Sequence, residues 1–457
     1  MKIIILGAGQ VGSSLAASLV HEKNEITVVD TAQRFLEGLQ RHDLRTVYGN
    51  ASHPSILERA GASEADMIVA VTNSDETNML ACQVAYTLFH TPTKIARIRS
   101  TEYLRYTALF SQESLPIDVI ISPENLVTER VSKLISLPGT QQVVDFAGGK
   151  AQLVSVNCVP GNDLAAMNVG DFREKTADLE LRIVFIHRQG KTMFPKKNTR
   201  MLPGDEVFFI GSHKAVQSLL GEIYRKEPRV HRIILAGGGN IGKCLAIALE
   251  QHYQVKIIEI DPEQAQTASE ILEDVIVLQG SATDEALLTE ENIDRTDVFC
   301  AITNNDETNI IAAMLAKNLG AKKVMALINH SRFTNLVQQG SIDILISPQL
   351  ITMGALLAHI RKGDVVMVHS LLGGKTEAME AIIHGDEASS PVVGRPLKQI
   401  DLPQETMVGA IVRGDEVITD CQDTAIQAGD HLIVLVSDKQ ALPQLEQQLF
   451  QVGATYL

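Results

Sequence analysis

A glycine-rich turn occurs twice in this chain of 457 residues. One copy lies in MKIIILGAGQVG at the start, and the other lies in RVHRIILAGGGNIG, which begins at Arg229. Each copy reads as a short apolar strand, a glycine turn and a helix. Strand and helix patterns then alternate for about 120 residues, which is the signature of a parallel sheet with βαβ crossovers. The duplication therefore predicts two parallel sheets in one chain.

The repeat covers nearly the whole sequence. Further matching pairs are YGNAS at Tyr48 with QGSAT at Gln279, DMIVAVTNSDETNMLA at Asp66 with DVFCAITNNDETNIIA at Asp297, ISPEN at Ile121 with ISPQL at Ile346, RIVFIHRQGKTMFP at Arg182 with MVGAIVRGDEVITD at Met407, and PGDEVFFIGSHKAV at Pro203 with AGDHLIVLVSDKQA at Ala428. The last two pairs contain apolar strands separated by Gly-Asp turns, followed by a helical pattern. They predict a smaller α/β subdomain after each sheet.

We therefore predict an α/β fold with two tandem Rossmann-like nucleotide-binding domains, each followed by a smaller α/β subdomain. The predicted domains are residues 1–123, 140–225, 229–350 and 365–452. The stretch EIYRKEPRVHR at 222–232 is charged and contains proline, so we expect it to link the two halves.

Composition limits the possible environments and partners. Five cysteines lie far apart without a CxxC pair, which favours a reducing cytoplasm. The formal net charge of −15 disfavours nucleic acid as a partner. No apolar stretch approaches the roughly 18–20 residues that a membrane span needs. We expect a soluble chain that is not exported.

The two glycine turns are the predicted phosphate-binding elements. They comprise Gly7, Ala8, Gly9, Gln10, Val11 and Gly12 in the first half, and Gly237, Gly238, Gly239, Asn240, Ile241 and Gly242 in the second. In such a turn the first glycine allows the bend, the second lets phosphate approach backbone N–H groups, and the third lets the helix pack on the sheet. The alternative is an ordinary strand-helix turn in which glycine serves packing alone.

An acidic residue follows each turn at the distance typical of a ribose ligand. Asp30 ends the strand ITVVD in the first half. In the second half we favour Glu259 of VKIIEID and hold Asp261 in reserve. A carboxylate here accepts both ribose hydroxyls and repels a 2′-phosphate, so NADP is disfavoured. NAD, ATP, ADP and AMP all remain possible ligands.

Small and polar residues follow the next strands. Asn50 and Ala51, with Ser281 and Ala282 in the second half, would let an adenine lie against the backbone. Thr72, Asn73, Thr303 and Asn304 follow the fourth strand of each sheet, at the edge where open α/β sheets bind ligands. Helix capping is the alternative for these four residues.

Two arginines occur in the first half only. Arg97 and Arg99 alternate in ARIRS, which is predicted to be a strand, and both would clamp phosphate on one side of it. A solvated edge strand is the alternative interpretation. The second half has ALINH at the matching place.

Motifs for catalysis are missing. The thirteen histidines are scattered, and there is no GxxxxGK[ST] phosphate loop and no GxSxG turn. We predict no metal site and no enzyme activity. A binding site without catalytic groups favours nucleotide sensing, in which two sites in one chain act as a built-in dimer. An NAD-dependent oxidoreductase and a scaffold with vestigial nucleotide folds are the alternatives.

With the glycine turns, the acids after them, the TNxDETN repeats and the SPE motif, the chain resembles the potassium-transport nucleotide-binding family, also called regulators of potassium conductance (RCK). The resemblance covers essentially the whole chain. It implies a cytoplasmic protein, peripheral on the inner face of the cell membrane. It also implies binding of NAD(H) and ATP or ADP, gating of a potassium-conducting Trk-type membrane subunit, and assembly as a homotetramer.

The resemblance also assigns residues. It implies that Gly7, Gly9, Gly12 and Asp30, with Gly237, Gly239, Gly242 and Glu259, hold nucleotide. Glu124 of SPEN matches a family position near nucleotide and ions at a domain interface, which makes a divalent cation a further candidate cofactor. The second half has Gln349 at that position, so the same role is not assumed there.

Overall fold

The computed structural model describes residues 1–22, 24–137, 139–161, 164–165, 167–225, 230–330, 332–333, 341–361 and 365–449. Residues 226–229 of the predicted linker, including the predicted start of the third domain, lie outside the described residues, as do residues 450–452 at the predicted end of the fourth. Among the helices in the described ranges, none is long and apolar enough to cross a membrane.

The chain forms two compact units. The first comprises Met1–Leu126 together with Gln349–Ile360, and the second comprises Val127–Pro348 together with Arg361–Leu457. The boundaries between these ranges fall within the residue ranges of two helices, α6 (Pro123–Ser136) and α13 (Pro348–Ile360).

A parallel sheet of six strands forms the centre of the first unit. Its strands are β1 (Lys2–Leu6), β2 (Glu25–Asp30), β3 (Arg45–Tyr48), β4 (Met67–Ala70), β5 (Thr93–Arg97) and β6 (Val119–Ile121). They lie in the order β3-β2-β1-β4-β5-β6. Their apolar runs form strands because both faces of the sheet are covered. The order reverses beside β1, which opens a crevice at the carboxyl ends of β1 and β4.

Helices cover this sheet. They are α1 (Gln10–His21), α2 (Gln33–Leu39), α3 (Pro54–Ala60), α4 (Asp75–Phe89), α5 (Thr101–Leu104) and the first residues of α6. One core joins β1 and β4 to α3 and α4, with Ile68, Leu57 and Ala85 fully buried in it. The predicted Rossmann-like domain of the first half is confirmed.

The second unit contains an equivalent parallel sheet. Its strands are β12 (Arg232–Ala236), β13 (Gln254–Glu259), β14 (Val275–Gln279), β15 (Val298–Ala301), β16 (Lys323–Leu327) and β17 (Ile344–Ile346), in the order β14-β13-β12-β15-β16-β17. Its helices are α9 (Asn240–Leu249), α10 (Pro262–Ile271), α11 (Glu285–Glu290) and α12 (Asp306–Asn318). The repeated strand order confirms that the duplication in sequence is a duplication of fold.

Two antiparallel sheets of five strands complete the second unit. The first contains β7 (Thr140–Phe146), β8 (Ala151–Asn157), β9 (Leu181–Arg188), β10 (Lys191–Met193) and β11 (Glu206–Ser212), with helices α7 (Val169–Lys175) and α8 (His213–Ile223). The other contains β18 (Val365–Leu371), β19 (Thr376–Ile382), β20 (Thr406–Arg413), β21 (Glu416–Ile418) and β22 (His431–Val436), with helix α14 (Leu442–Leu449). These sheets confirm the smaller α/β subdomains.

The two antiparallel sheets share one hydrophobic core. Phe185 and Phe208 of the first sheet, whose rings stack at 3.9 Å, lie in the same cluster as Ile433 and Leu435 of the second. The carboxylate of Glu380 also accepts a hydrogen bond of 2.8 Å from the backbone N–H of Ala147. The smaller subdomains of the two halves are therefore packed together as one body.

Candidate functional site

The glycine turn in each half is shaped by steric limits at the first and last glycines of its GxGxxG pattern. Gly7 has φ of +106°, and a Cβ there would lie 3.0 Å from the backbone of Thr72. A Cβ on Gly12 would lie 1.9 Å from the carbonyl oxygen of Gly7. Gly237 and Gly242 repeat both restrictions. Strand and helix can approach this closely only because these side chains are absent.

The middle glycine is different. A Cβ on Gly9 or Gly239 would have nothing within 4 Å. Packing therefore does not explain glycine at this position, which contradicts the packing-only interpretation for these two residues. Gly9 and Gly239 are also the N-caps of α1 and α9, and neither has a side-chain cap in the described residues. Open space in front of uncapped N–H groups is suited to a phosphate.

The predicted ribose acids lie beside these turns. Asp30 ends β2, and its Oδ2 accepts a hydrogen bond of 2.6 Å from the N–H of Ala8. Glu259 ends β13, and its Oε2 accepts one of 2.5 Å from the N–H of Gly238. Each carboxylate holds the glycine turn and retains lone pairs for hydroxyl donors.

Asp261 has a different role from Glu259. Its Oδ1 accepts hydrogen bonds from the N–H groups of Glu263 and Gln264, so it is the N-cap of α10. Strand β13 ends at Glu259, so Asp261 lies outside that strand. The geometry favours Glu259 as the ribose acid.

The GNAS and GSAT stretches form the turns after β3 and β14. The side chain of Asn50 accepts hydrogen bonds from the N–H and hydroxyl of Ser52, and Ser281 makes a similar contact with Thr283. Ala51 and Ala282 are buried under these turns. Gly49 N–H donates to the carbonyl of Asp30 at 3.0 Å, which places the turn beside the ribose acid.

Thr72 and Thr303 follow the fourth strand of each sheet and are half-buried, whereas Asn73 and Asn304 are exposed. None of the four is a helix cap, because Ser74 caps α4 and Asn305 caps α12. The capping alternative is therefore wrong for these four residues and right for their neighbours.

A buried asparagine side chain holds each of these loops in place. The sequence analysis did not predict this role for either asparagine. Asn78 is fully buried; its Oδ1 accepts from the N–H and the hydroxyl of Thr72, and its Nδ2 donates to the carbonyl of Arg97. Asn309 does the same for Thr303. The TNxDETN repeat contained a signal for this role. Its last asparagine lies one helical turn after the N-cap residue, so its side chain can reach back to the loop before the helix.

The arginine pair differs from the sequence expectation. β5 lies between β4 and β6, so the solvated-edge interpretation is wrong, and Arg99 lies beyond the end of β5 at Arg97. Arg97 donates to the carbonyl of Thr72 at 2.6 Å, and burial lowers its pKa. Arg99 donates from Nε to Glu124 Oε1 at 2.9 Å. The two guanidiniums thus have separate partners.

Glu124 is a buried carboxylate with one oxygen still available. Its side chain is 2% exposed, and Oε2 has no hydrogen-bond partner in the described residues. Arg97 Nε is likewise buried and unpaired there. Burying such atoms without partners is costly, so both are candidates for contact with a ligand.

The second half lacks this arrangement. Leu327 and Asn329 stand where Arg97 and Arg99 stand, and His330 follows them. His330 Nδ1 lies 2.7 Å from Asp306 Oδ2. Burial tends to raise the pKa of Asp306, but hydrogen bonds from Asn329 and His330 outweigh it, and the net effect is a lowered pKa.

The position of Gln349 in the fold was not predicted from the sequence. Gln349 is the second-half counterpart of Glu124, yet it belongs to the first unit. Its Nε2 donates to the hydroxyl of Ser14 at 2.5 Å and to the carbonyl of Gln10 at 3.3 Å. Gln349 therefore contacts the first turn of α1, next to the glycine turn of the first half. Neither Gln349 nor Ser14 was assigned to this site from the sequence.

Metal-ligating and nucleophilic groups are not gathered in the described ranges. No cluster there contains three or more His, Cys, Asp or Glu side chains that would hold a metal ion. Cys82 and Cys300 are fully buried, and burial raises the pKa of each thiol to about 12. Both cysteines are packing residues.

Known proteins share this organisation. The family model of the TrkA-N domain matches residues 3–123 and 233–348, and that of the TrkA-C domain matches residues 153–223 and 387–447. The chain belongs to the TrkA family. The expected family resemblance is thereby confirmed, and the four family matches alternate in the order of the parallel and antiparallel sheets.

Relatives match the chain from end to end. The Trk system potassium uptake protein TrkA of Halomonas elongata is 50% identical over 457 residues, and that of Vibrio alginolyticus is 50% identical over 459 residues. The protein of the same name from Haemophilus influenzae is 46% identical. Each alignment covers 100% of both sequences.

Solved structures support the same fold. The GsuK RCK domain has a TM-score of 0.62 at 19% identity, with 98% of this chain and 94% of that chain covered. The GsuK channel bound to NAD has a TM-score of 0.60 at 20% identity, with 98% and 78% covered. The fold is that of a regulator-of-potassium-conductance domain pair.

Proposed function

We propose that this chain is a cytoplasmic regulatory subunit that senses nucleotides and controls a potassium-conducting membrane subunit of a Trk-type uptake system. The observation that carries the proposal is the middle glycine of each turn, which faces open space in front of uncapped helix N–H groups with an acid hydrogen-bonded to the same turn. In that arrangement the acid can bind a ribose while the helix N–H groups bind the adjacent phosphate. Relatives along the full length are named potassium uptake proteins.

The proposed ligands are NAD(H) and ATP or ADP. Asp30 and Glu259 favour a ribose with free hydroxyls and disfavour a 2′-phosphate, because like charges would be close together. NAD is supported further by the GsuK channel, which shares the fold and whose structure contains NAD. We expect the first half to prefer ligands with more phosphate charge, because only that half has Arg97 and Arg99 near the crevice.

A divalent cation is proposed as a companion of the nucleotide in the first half. The free Oε2 of buried Glu124 provides one oxygen ligand, and the phosphate of a bound nucleotide would supply others. The described residues alone do not complete a metal site, so we propose no cation binding without nucleotide.

The proposed role is regulatory and not catalytic. Asn78 and Asp75, two polar groups beside the crevice, are committed to holding the loops through hydrogen bonds to neighbouring backbone. A group positioned for hydride chemistry would instead have to face the ligand. Nucleotide binding would act by favouring one of two conformations of the assembly.

We propose a homotetramer that lies against the inner face of the membrane. Leu80 on α4 and Ile311 on α12 occupy matching positions and are 50% and 56% exposed. Large apolar side chains at the same place in both copies are suited to contacts between subunits. Replacing both with glutamate should reduce the oligomer, which sedimentation would measure.

The decisive experiment is calorimetry of the full chain with NADH, ATP and ADP. Asp30→Ala should weaken nucleotide binding to the first half about tenfold to a hundredfold, since a hydrogen bond to a charged group is worth about 1.5–3 kcal/mol. Asp261→Ala, which removes a helix cap, is the matched control and should leave affinity unchanged. Unaltered affinity for every nucleotide in Asp30→Ala and Glu259→Ala would contradict the proposed sites.

The same preparation tests the alternative of an oxidoreductase. We expect no steady consumption of NADH with hydroxy or keto acids. Potassium flux through the reconstituted membrane subunit should instead change with nucleotide concentration. Turnover of NADH that is lost in a site variant would replace the regulatory proposal with an enzymatic one.

A further inference from the structure

A cavity of about 270 Å³ lies at the amino-terminal edge of the second parallel sheet. It is lined by the starts of β12 and β13 and by the turn after α11, with Ile233 and Ile234 on its apolar side. The glycine turn is at the other end of β12, five residues away, or about 16 Å at the usual rise of a strand. The cavity is thus separate from the proposed nucleotide site.

Positive charge predominates in the lining. Arg232, Lys256 and Arg295 face the cavity, and Glu291 is the only carboxylate among its lining residues. Lys256 pairs with Glu291 at 2.6 Å. In the described residues neither Arg232 nor Arg295 has an ion-pair partner. Both guanidiniums are exposed, and they also line a neighbouring pocket that contains Glu250, Asp294 and Asp297. Asp297 is paired with Lys322, so neither arginine is tied to a carboxylate there.

The other half of the chain shows that this is not a requirement of the fold. Lys2 and Glu64 occupy the positions of Arg232 and Arg295 and form an ion pair of 2.6 Å. The backbone is anchored alike in both copies, because Asp66 accepts from the N–H of Lys2 and Asp297 accepts from that of Arg232. The two copies therefore differ in their side chains. The first half has an ion pair at these positions, and the second half has two positive charges.

Arg232 and Arg295 line one cavity with Lys256, so they make it a region of positive potential that attracts an anion. The fork of a guanidinium matches the oxygens of phosphate, and two of them with a nearby ammonium suit a doubly charged group. We propose that this cavity binds the phosphate group of a compact anion, either inorganic or esterified to a small organic body. At the matching place in the first half, Glu64 fills the anionic role by pairing with Lys2.

The test is calorimetry of the full chain in 0.15 M KCl, where the Debye length of about 8 Å suppresses loose surface association. The probes are inorganic pyrophosphate, glucose 6-phosphate and citrate, which separate inorganic phosphate, a phosphate ester and a carboxylate. Wild-type protein should bind one or both phosphate probes saturably. Arg295→Glu recreates the ion pair of the first half and should lower that affinity at least about tenfold. Arg232→Gln provides a second variant if the first does not fold.

Two controls locate the binding. Glu64→Gln in the first half should leave phosphate affinity unchanged. Gly239→Asp blocks the glycine turn of the second half, and the phosphate binding that Arg295→Glu removes should persist in this variant. Loss of phosphate binding in Gly239→Asp but not in Arg295→Glu would assign the phosphate to the nucleotide site and overturn the proposal. Absence of saturable binding in wild type, or binding of citrate alone, would overturn it as well.

Discussion

The residue scale shows how two copies of one turn keep the same shape with different side chains. The first half combines Ala8 with Asp30, and the second combines Gly238 with Glu259. A Cβ on Gly238 would lie 3.2 Å from Cβ and 3.3 Å from Cγ of Glu259. The longer acid therefore occupies the volume that the alanine methyl would need. The size of the acid and the residue in the turn are coupled.

Gly238→Ala should destabilise the second unit by about 1–3 kcal/mol, because the added methyl overpacks against Glu259. Glu259→Asp in the same chain keeps the Cβ but shortens the side chain, giving the pairing of alanine with aspartate found at Ala8 and Asp30, and should recover part of the loss. Urea unfolding midpoints of the wild type, both single variants and the double variant would give the coupling. Additive single effects would show that the two residues are independent.

Sequence reasoning located the two acids at this scale but not every neighbour. The spacing of glycines and acids placed Asp30 and Glu259 beside their turns. The same spacing did not distinguish Glu259 from the helix cap Asp261, because a pattern does not show which carboxylate turns toward which N–H. Burial of Asn78 was equally hidden, since asparagine is mostly exposed in proteins.

At the scale of elements, the helix α13 illustrates what a repeat cannot predict. The matching stretches ISPEN and ISPQL each lie where a strand ends and a helix begins. Their match does not predict which sheet the helix packs on. Most of α13 belongs to the first unit, where Gln349 bonds to Ser14 of α1. Equivalence in sequence defines the element, whereas its packing depends on connections between halves.

The contact of α13 with α1 makes a second prediction. Gln349→Glu would place a negative charge at the first turn of α1, where we propose that phosphate binds. Like-charge repulsion should weaken nucleotide binding to the first half, and the effect should diminish at high salt. Gln349→Ala is the matched variant, which removes the hydrogen bonds without adding charge. Equal affinity in the two variants at low salt would place the phosphate elsewhere.

The packing of β18 against β7 gives a third prediction. The ring of His369 packs edge-on against Phe146 at 5.6 Å, and its Nε2 is buried without a partner among the described residues. Burial, with the charges of Arg130 and Lys133, lowers the pKa of His369 to about 3, although Asp145 opposes the shift. The ring is therefore neutral in the folded protein at neutral pH.

Because this pKa is depressed on folding, the unfolded chain binds more protons between pH 3 and about 6.5, the usual pKa of histidine. The contribution of His369 is therefore present above pH 6.5 and is lost as the pH falls. Between pH 6.5 and 5 the wild type should lose up to about 1.4 kcal/mol per pH unit relative to His369→Gln. Parallel curves of unfolding free energy against pH for the two proteins would contradict this assignment.

At the scale of the whole molecule, the duplication in the sequence predicted the order of the domains. It did not predict whether the two smaller subdomains pack against each other. Two smaller subdomains in sequence could have been independent bodies. The structure joins them through a shared core around Phe208 and Ile433, because each antiparallel sheet has an apolar face that the other covers. The smaller subdomains of the two halves thus form a single antiparallel body, although each half has its own glycine turn.

The two glycine turns should not contribute equally to regulation. The first half has Arg97, Arg99 and Glu124 around its crevice, and the contact from Gln349 adds a polar donor beside α1. The second half has His330 and Asp306 in the corresponding region. More positive charge in the first half should give tighter binding of phosphate-rich ligands and a steeper dependence on salt.

Gly9→Asp and Gly239→Asp provide a matched pair for this asymmetry. Neither position has an atom within 4 Å of an added Cβ, so both variants should fold, and each puts a negative charge where phosphate is proposed to lie. Potassium flux through the reconstituted membrane subunit, at fixed nucleotide and salt, should lose more of its nucleotide response in Gly9→Asp than in Gly239→Asp. Equal losses would contradict a dominant first site. An unchanged response in both would contradict nucleotide control, because the two proposed phosphate positions would then have no effect on the transport that they are proposed to regulate.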